Sequence, residues 1–202
     1  AIKYCGATPH FVDVEETTLS ISSQKLDERL HEIGEVRDGK CYNTITGRQI
    51  VAILLVYVFG HPPDLEKLID VARKWKLLVI EDASEALGTI HKGKHAGSFG
   101  DVGVLSFNGN KIITTGGGGA VLTDDEGISR KVSHLSTTAK TPHQWRYFHD
   151  QIGYNYRMPN INAALGYAQL EKLELFIEAN RKLYSRYQKA AMGNDLFTIF
   201  EE

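Results

Sequence analysis

The run at 50–59, Ile-Val-Ala-Ile-Leu-Leu-Val-Tyr-Val-Phe, most constrains what this chain can fold into. It is about half the ~20 residues that a membrane-crossing helix requires, and the turn formers Gly60 and Pro62 close it. A run of that length predicts a buried strand, of the kind found in parallel sheets covered on both faces. Asp64 then caps a helix with Leu65, Leu68, Ile69 and Ala72 on its inner side and Lys74 and Lys76 near its negative end. Leu-Leu-Val-Ile at 77–80 follows as a second buried strand. Strand, helix and strand in that order make a right-handed βαβ unit. The expectation is therefore an α/β fold with a mostly parallel sheet, helices on both faces and a ligand crevice at the carboxyl edge of the strands.

The rest of the chain fits around that unit. Val12-Asp13-Val14 reads as a short strand, and Leu26, Leu30 and Ile33 give 23–33 a helical period. The polar, glycine-bearing stretch 34–47 reads as a loop. Further strands are expected at 102–107 and 120–123, joined tightly through the glycines at 116–119. A helix is expected over 125–136, and one long amphipathic helix over 160–189 carrying Leu165, Leu170, Leu173 and Ile177. With no repeat, low-complexity tract or linker, residues 1–202 read as one domain. A domain of that length buries roughly 70% of the surface its unfolded form exposes.

The charge balance, 23 basic against 25 acidic side chains, gives a net charge of -2 and no positive field to hold nucleic acid or an anionic membrane. Cys5 and Cys41 are too few for a disulfide scaffold and fit a reducing cytoplasm. The first residues lack the charged and apolar regions of a signal peptide. The histidines are not arranged as a helical metal site: His91 and His95 have the spacing but lie in a glycine-rich stretch, so no metal is expected.

Three segments could carry chemistry. Asp82 ends a buried strand, where a ligand crevice is expected, and it could equally cap the turn that follows. Lys111 stands after Ser-Phe-Asn-Gly-Asn and before Thr114, Thr115 and four glycines. Glycines let a ligand approach the backbone, and hydroxyls with exposed amides can hold phosphate. There the lysine could clamp a phosphate or act as a Schiff-base nucleophile, and the glycine run alone could be an ordinary loop. The lysine precedes the glycines, so this is no Walker loop, and no dinucleotide fingerprint is present. Third, Gly-Tyr-Asn-Tyr-Arg-Met-Pro-Asn at 153–160 leads into the long helix, either as a functional segment or as an exposed turn.

Taken together, five ordered motifs resemble the DegT/DnrJ/EryC1/StrS family of pyridoxal phosphate-dependent sugar aminotransferases. They are Gly-Ala-Thr-Pro-His-Phe-Val-Asp-Val at 6–14, Val-Phe-Gly-His-Pro-Pro-Asp-Leu at 58–65 and Glu-Asp-Ala-Ser-Glu-Ala-Leu-Gly at 81–88. The others are Ser-Phe-Asn-Gly-Asn-Lys-Ile-Ile-Thr-Thr-Gly-Gly-Gly-Gly at 106–119 and Gly-Tyr-Asn-Tyr-Arg-Met-Pro-Asn-Ile-Asn-Ala-Ala-Leu-Gly at 153–166. The resemblance implies the central part of the large domain of the aspartate aminotransferase (type I) fold. The family's N-terminal phosphate-binding segment and small C-terminal domain would lie outside it.

It further implies that Lys111 forms the Schiff base with pyridoxal phosphate and that Asp82 pairs with the pyridine nitrogen. Glu85 matches a position near the cofactor ring, and Ser106 matches a phosphate ligand. Asn155 matches an asparagine that reaches the cofactor phosphate of a neighbouring subunit, which implies a homodimer. Family members with histidine in place of this lysine remove a hydroxyl instead, so Lys111 favours amino transfer. The segments at 137–143 and 149–160 look most like the branch associated with legionaminic acid and related bacterial surface sugars. That branch implies a UDP-linked 4-keto-6-deoxy-N-acetylhexosamine as substrate and glutamate as amine donor. Tyr57 departs from the family, which commonly has histidine before Val-Phe-Gly. The rival reading from another class is a protein of this fold that binds a ligand without turnover.

Overall fold

The computed structural model describes residues 1–194, 196, 197, 199 and 200. Near the N-terminus, 12–14 is not a strand: Val14 forms a single antiparallel bridge with Ile21. Helix α1 (Ser23–Ile33) starts where the Ser22 side chain accepts a hydrogen bond from the Lys25 amide, and it buries Leu26, Leu30 and Ile33. The stretch expected as a loop instead forms an antiparallel sheet of β1 (Gly34–Arg37), β2 (Lys40–Asn43) and β3 (Gln49–Ile50). Asp38 and Gly39, with φ of 49° and 72°, make the two-residue turn that suits the twist of a hairpin. Cys41 on β2 is fully buried in the core, which anchors an otherwise polar ribbon.

The apolar run at 50–59 is divided among β3, β4 (Ala52–Val56) and a 3-10 turn (Val58–Gly60) in which Phe59 has φ 53°. Helix α2 (Leu65–Lys74) follows its Asp64 cap, and β5 (Leu78–Asp82) returns parallel to β4 with Leu55 opposite Glu81 and Val56 opposite Asp82. A small hairpin, β6 (Ile90–His91) with β7 (Lys94–His95), precedes β8 (Val102–Ser106), which lies parallel to β5. β9 (Gly119–Leu122) closes the sheet antiparallel to β8, giving the order β4-β5-β8-β9. Three parallel strands therefore end on one edge, and the 107–118 connection lies at that edge.

α1 and α2 cover one sheet face, where Leu26, Leu30, Leu65, Leu68 and Ala72 pack with Ile53, Leu55, Val79 and Leu105. Each such side chain, once removed from water, contributes about 1.5–3 kcal/mol before entropy costs. Asp27 ties the two helices together: it accepts from the Trp75 indole at 2.7 Å and pairs with Lys74 at 2.9 Å. The alternate residues of β4 differ from the expected burial on both faces. Leu54 and Val56 are 43% and 41% exposed, because a strand is covered on both sides only where a layer packs on each.

Helix α3 (Glu126–Ser136) begins at its Asp125 cap. The single helix expected over 160–189 is two, α4 (Asn160–Leu170) and α5 (Leu173–Ala191). The break follows Gln169, whose side-chain oxygen accepts from the Thr114 amide at 2.9 Å and fixes the end of α4 to the glycine loop. Among the described residues no helix is long and apolar enough to cross a membrane.

Candidate active site

Side chains of paired parallel strands share a face, so the register of Asp82 with Val104 puts Asp82 and Ser106 on the same side of the sheet. Both stand at the carboxyl edge. Asp82 does cap its following turn: its Oδ1 accepts from the Ser84 amide at 3.1 Å. Its Oδ2 has no hydrogen bond among the described residues. The cap thus engages one of the two carboxylate oxygens.

From Ser106 the chain turns back on itself. The Ser106 hydroxyl accepts from the Asn108 amide at 3.3 Å, and the Lys111 amide donates to the Asn108 carbonyl at 3.1 Å. That turn delivers Lys111 Nζ to Glu85 Oε1 at 3.2 Å. The other Glu85 oxygen accepts from the Phe59 amide at 3.1 Å. Loops following β4, β5 and β8 therefore converge on one carboxylate. The Lys111 side chain is 17% exposed against 45% for Glu85, so the lysine is the sheltered partner.

The hydroxyls and glycines after Lys111 build the loop itself. Thr114 donates to the Phe107 carbonyl at 3.1 Å and accepts from the Gly116 amide at 2.9 Å, and the Thr115 hydroxyl donates to the Gly117 carbonyl. These hydroxyls are committed within the loop. Gly116, Gly117 and Gly118 have φ of 77°, 157° and 96°, a backbone that other residues rarely adopt. One face of α4 supports the loop: Asn162 donates to the Thr115 carbonyl, Gly166 lies against Thr115, and Gln169 holds Thr114. Sequence reading missed this support, although the 162, 166, 169 spacing marks a single helix face.

Asn155 stands apart from this cluster. It is exposed, its backbone bridges Thr137, and its side chain makes no hydrogen bond among the described residues. The neighbouring Tyr154 and Tyr156 rings stack at 5.1 Å. His91 contacts Glu66 at 3.1 Å, and His95 accepts from the Gly88 amide at 2.9 Å.

Beneath Asp82, on the opposite face, lies a buried cluster with no counterpart in the sequence reading beyond the oddity of Tyr57. Fully buried Glu81 accepts from the Tyr57 hydroxyl at 2.5 Å, from Gly97 at 2.8 Å, from Phe99 at 2.6 Å and from Gly100 at 2.5 Å. Four donors are what a buried carboxylate needs to offset its desolvation. Burial, and then the Glu81 carboxylate, push the Tyr57 phenol well above its ordinary value, so it remains a donor. An acid inside an otherwise apolar strand was the available signal.

A sheltered lysine, a strand-end carboxylate and a glycine loop thus stand at the carboxyl edge of the sheet, where open α/β sheets hold their ligands. Residues 1–201 match the DegT/DnrJ/EryC1/StrS aminotransferase family, and the chain belongs to it. It is 41% identical over 202 residues to a GDP-perosamine synthase of Escherichia coli O157:H7, covering 100% of this chain and 50% of the relative. It is 39% identical over 196 residues to a GDP-perosamine synthase of Caulobacter vibrioides, covering 96% and 48%. Helicobacter pylori PseC, an aminotransferase in the biosynthesis of pseudoaminic acid, superposes with a TM-score of 0.82 at 26% identity, over 96% of this chain and 48% of its own. The chain thus spans about half the length of these relatives.

Aminotransferases of this family depend on pyridoxal phosphate, and the residues present fit that group. Asp82, with Oδ2 unbonded among the described residues, Lys111 and Ser106 are the groups that would hold it: a carboxylate, an amine and a hydroxyl.

Proposed function

We propose that this chain is the cofactor-binding portion of a sugar aminotransferase that moves an amino group from glutamate onto a nucleotide-linked 4-keto-6-deoxy sugar, for surface polysaccharide or nonulosonic acid synthesis. The observation that supports this reading is the Lys111–Glu85 pair at 3.2 Å, which holds an amine among the loops that follow β4, β5 and β8, the last two being the strands that end in Asp82 and Ser106. Bound pyridoxal phosphate supplies an electron sink that stabilises charge at the substrate carbon.

The chain's own groups supply the rest. Asp82 would face the ring nitrogen through Oδ2, with Oδ1 fixed by the Ser84 amide, and would favour its protonated form. Ser106 would hold the phosphate. Lys111 Nζ, once released by the incoming amine, would carry the proton as general base and then general acid. Glu85, bonded to Phe59 through its other oxygen, would hold the lysine in place between turnovers. Asn155, exposed and with no side-chain hydrogen bond among the described residues, is suited to reach the cofactor phosphate of a second subunit in a homodimer.

For the nucleotide, the motifs at 137–143 and 149–160 favour a UDP-linked N-acetylhexosamine, whereas the names of the relatives favour GDP. Cytoplasmic location rests on the two free cysteines, Cys5 and Cys41. The test is to incubate the protein with pyridoxal phosphate, reduce with borohydride and map the modified peptide. A pyridoxyl group on Lys111, lost in Lys111→Arg, is the expected result. Labelling spread over surface lysines, with Lys111 unmodified, would overturn the reading.

A further inference from the structure

We propose that Tyr57 is a positioning residue for Asp82: it holds the end of β5 twice, with its amide on the Asp82 carbonyl and its phenol on Glu81, and so fixes where the Asp82 carboxylate stands. This inference rests on the role given to Asp82 in the preceding section.

Consecutive side chains of a strand point to opposite faces, so Glu81 and Asp82 share one peptide, and a twist of β5 that moves one carboxylate moves the other. Tyr57 stands one residue beyond the last registered pair of β4 and β5, Val56 with Asp82. From there its amide donates to the Asp82 carbonyl at 3.1 Å and its hydroxyl to Glu81 Oε2 at 2.5 Å, with the Tyr57 and Glu81 side chains fully buried. On the other flank the Ala83 amide donates to the Val104 carbonyl at 3.0 Å. The backbone around Asp82 is thus tied to a strand on each side, and residue 57 supplies one of the two ties.

The phenol completes a site that backbone amides leave one donor short. Gly97 shares Glu81 Oε2 with it at 2.8 Å, and Phe99 and Gly100 occupy Oε1 at 2.6 Å and 2.5 Å. Those amides belong to a loop that runs along β5: Gly100 packs against Val79, and a Cβ at Gly97 would stand 3.1 Å from that of Ala83. Three amides are present whatever the side chains are, whereas the fourth donor exists only because residue 57 is a tyrosine. Without it a fully buried carboxylate loses a hydrogen bond, which is costly enough for Glu81 to re-seat and turn β5 with it. A displacement of about 1 Å at a reacting group is sufficient to slow a reaction on the order of 10²-fold. Filling space alone would need the ring and not the hydroxyl, which separates positioning from packing.

Tyr57→Phe keeps the ring and the amide and removes the hydroxyl. The Ser84 amide reports the place of Asp82, because it donates to Oδ1 at 3.1 Å, and its resonance in the folded protein does not respond to overall stability. In this variant the Ser84 amide resonance is expected to shift without added cofactor, together with those of Gly97, Phe99 and Gly100, while the amides of α3 stay in place. Tyr57→His, which introduces the residue that the family commonly has here, restores a donor and should return Ser84 toward its parent position. With pyridoxal phosphate, Tyr57→Phe is expected to weaken binding about tenfold in the parent and by less than about twofold in an Asp82→Asn background, because coupled residues do not act additively.

An unmoved Ser84 resonance in the folded Tyr57→Phe protein would overturn the proposal, as would an equal loss of affinity in the two backgrounds. So would a Ser84 resonance in Tyr57→His that stays with the phenylalanine variant, since the donor would then not be the cause. The Ser84 measurement needs no cofactor, so a failure of Lys111 labelling would sink the aminotransferase reading without deciding this one.

Discussion

Glu85 joins two loops that are far apart in sequence: one oxygen pairs with Lys111 at 3.2 Å and the other accepts from the amide of Phe59. The site is thereby assembled by a carboxylate that is itself 45% exposed, and solvent screens what the ion pair contributes to folding. Holding Lys111 in position and stabilising the fold are separate consequences of the same contact.

Replacement of Glu85 separates them. Glu85→Gln keeps an acceptor for Phe59 and is expected to change the unfolding free energy by about 1 kcal/mol or less. The rate at which pyridoxal phosphate labels Lys111 is expected to change, because the lysine loses its counter-ion. Urea unfolding and timed borohydride trapping measure the two effects. A large loss of stability with an unaltered labelling rate would contradict this account.

For Asp82, the two oxygens make Asp82→Asn informative. The amide oxygen can still accept from Ser84, so the turn should persist. The charge proposed to face the cofactor nitrogen is lost. Amino transfer is expected to fall by about 10²–10⁴-fold, the scale on which a misprotonated acid–base system loses its rate, with circular dichroism and thermal midpoint nearly unchanged. Loss of folding in the variant would instead assign Asp82 to the turn alone.

The Tyr57–Glu81 contact gives an alkaline signature. Burial and Glu81 raise the folded-state pKa of the phenol, so the stabilisation is complete below the unfolded tyrosine value of about 10 and is lost as pH rises beyond it. Tyr57→Phe is expected to cost about 1–3 kcal/mol at neutral pH, from leaving Glu81 short of a donor. Its stability should then fall less steeply above pH ~10 than that of the parent. Denaturant melts at stepped pH check this, and parallel alkaline slopes would refute it.

Gly166 tests the support beneath the glycine loop. A Cβ there would stand 2.6 Å from Thr115 Cγ2, with Thr115 only 2% exposed. Gly166→Ala should therefore cost about 1–3 kcal/mol through overpacking despite the better helix propensity of alanine. Thr115→Ser removes the clashing methyl group, and the double variant should recover most of the loss. Failure of that rescue in a double-mutant cycle would show that the two residues do not meet in solution.

Much of this molecule was written locally. The period of Leu26, Leu30 and Ile33, the Asp64 cap and the apolar runs at 50–59 and 77–80 settled α1, β4, α2 and β5, because side-chain period and capping are short-range properties. The Asp38-Gly39 hairpin was equally local, and it went unread because a polar ribbon held by one buried residue, Cys41, lacks an apolar alternation. Ordered motifs placed Asp82, Ser106 and Lys111 at strand ends. Which oxygen of Asp82 caps the turn, that Glu85 rather than a threonine meets Lys111, and that Thr114 and Thr115 serve the loop were decided only by tertiary structure. Those pairings join residues separated by tens of positions, and they depend on strand register and on the packing of α4 against the glycine loop, neither of which leaves a periodic trace in the chain.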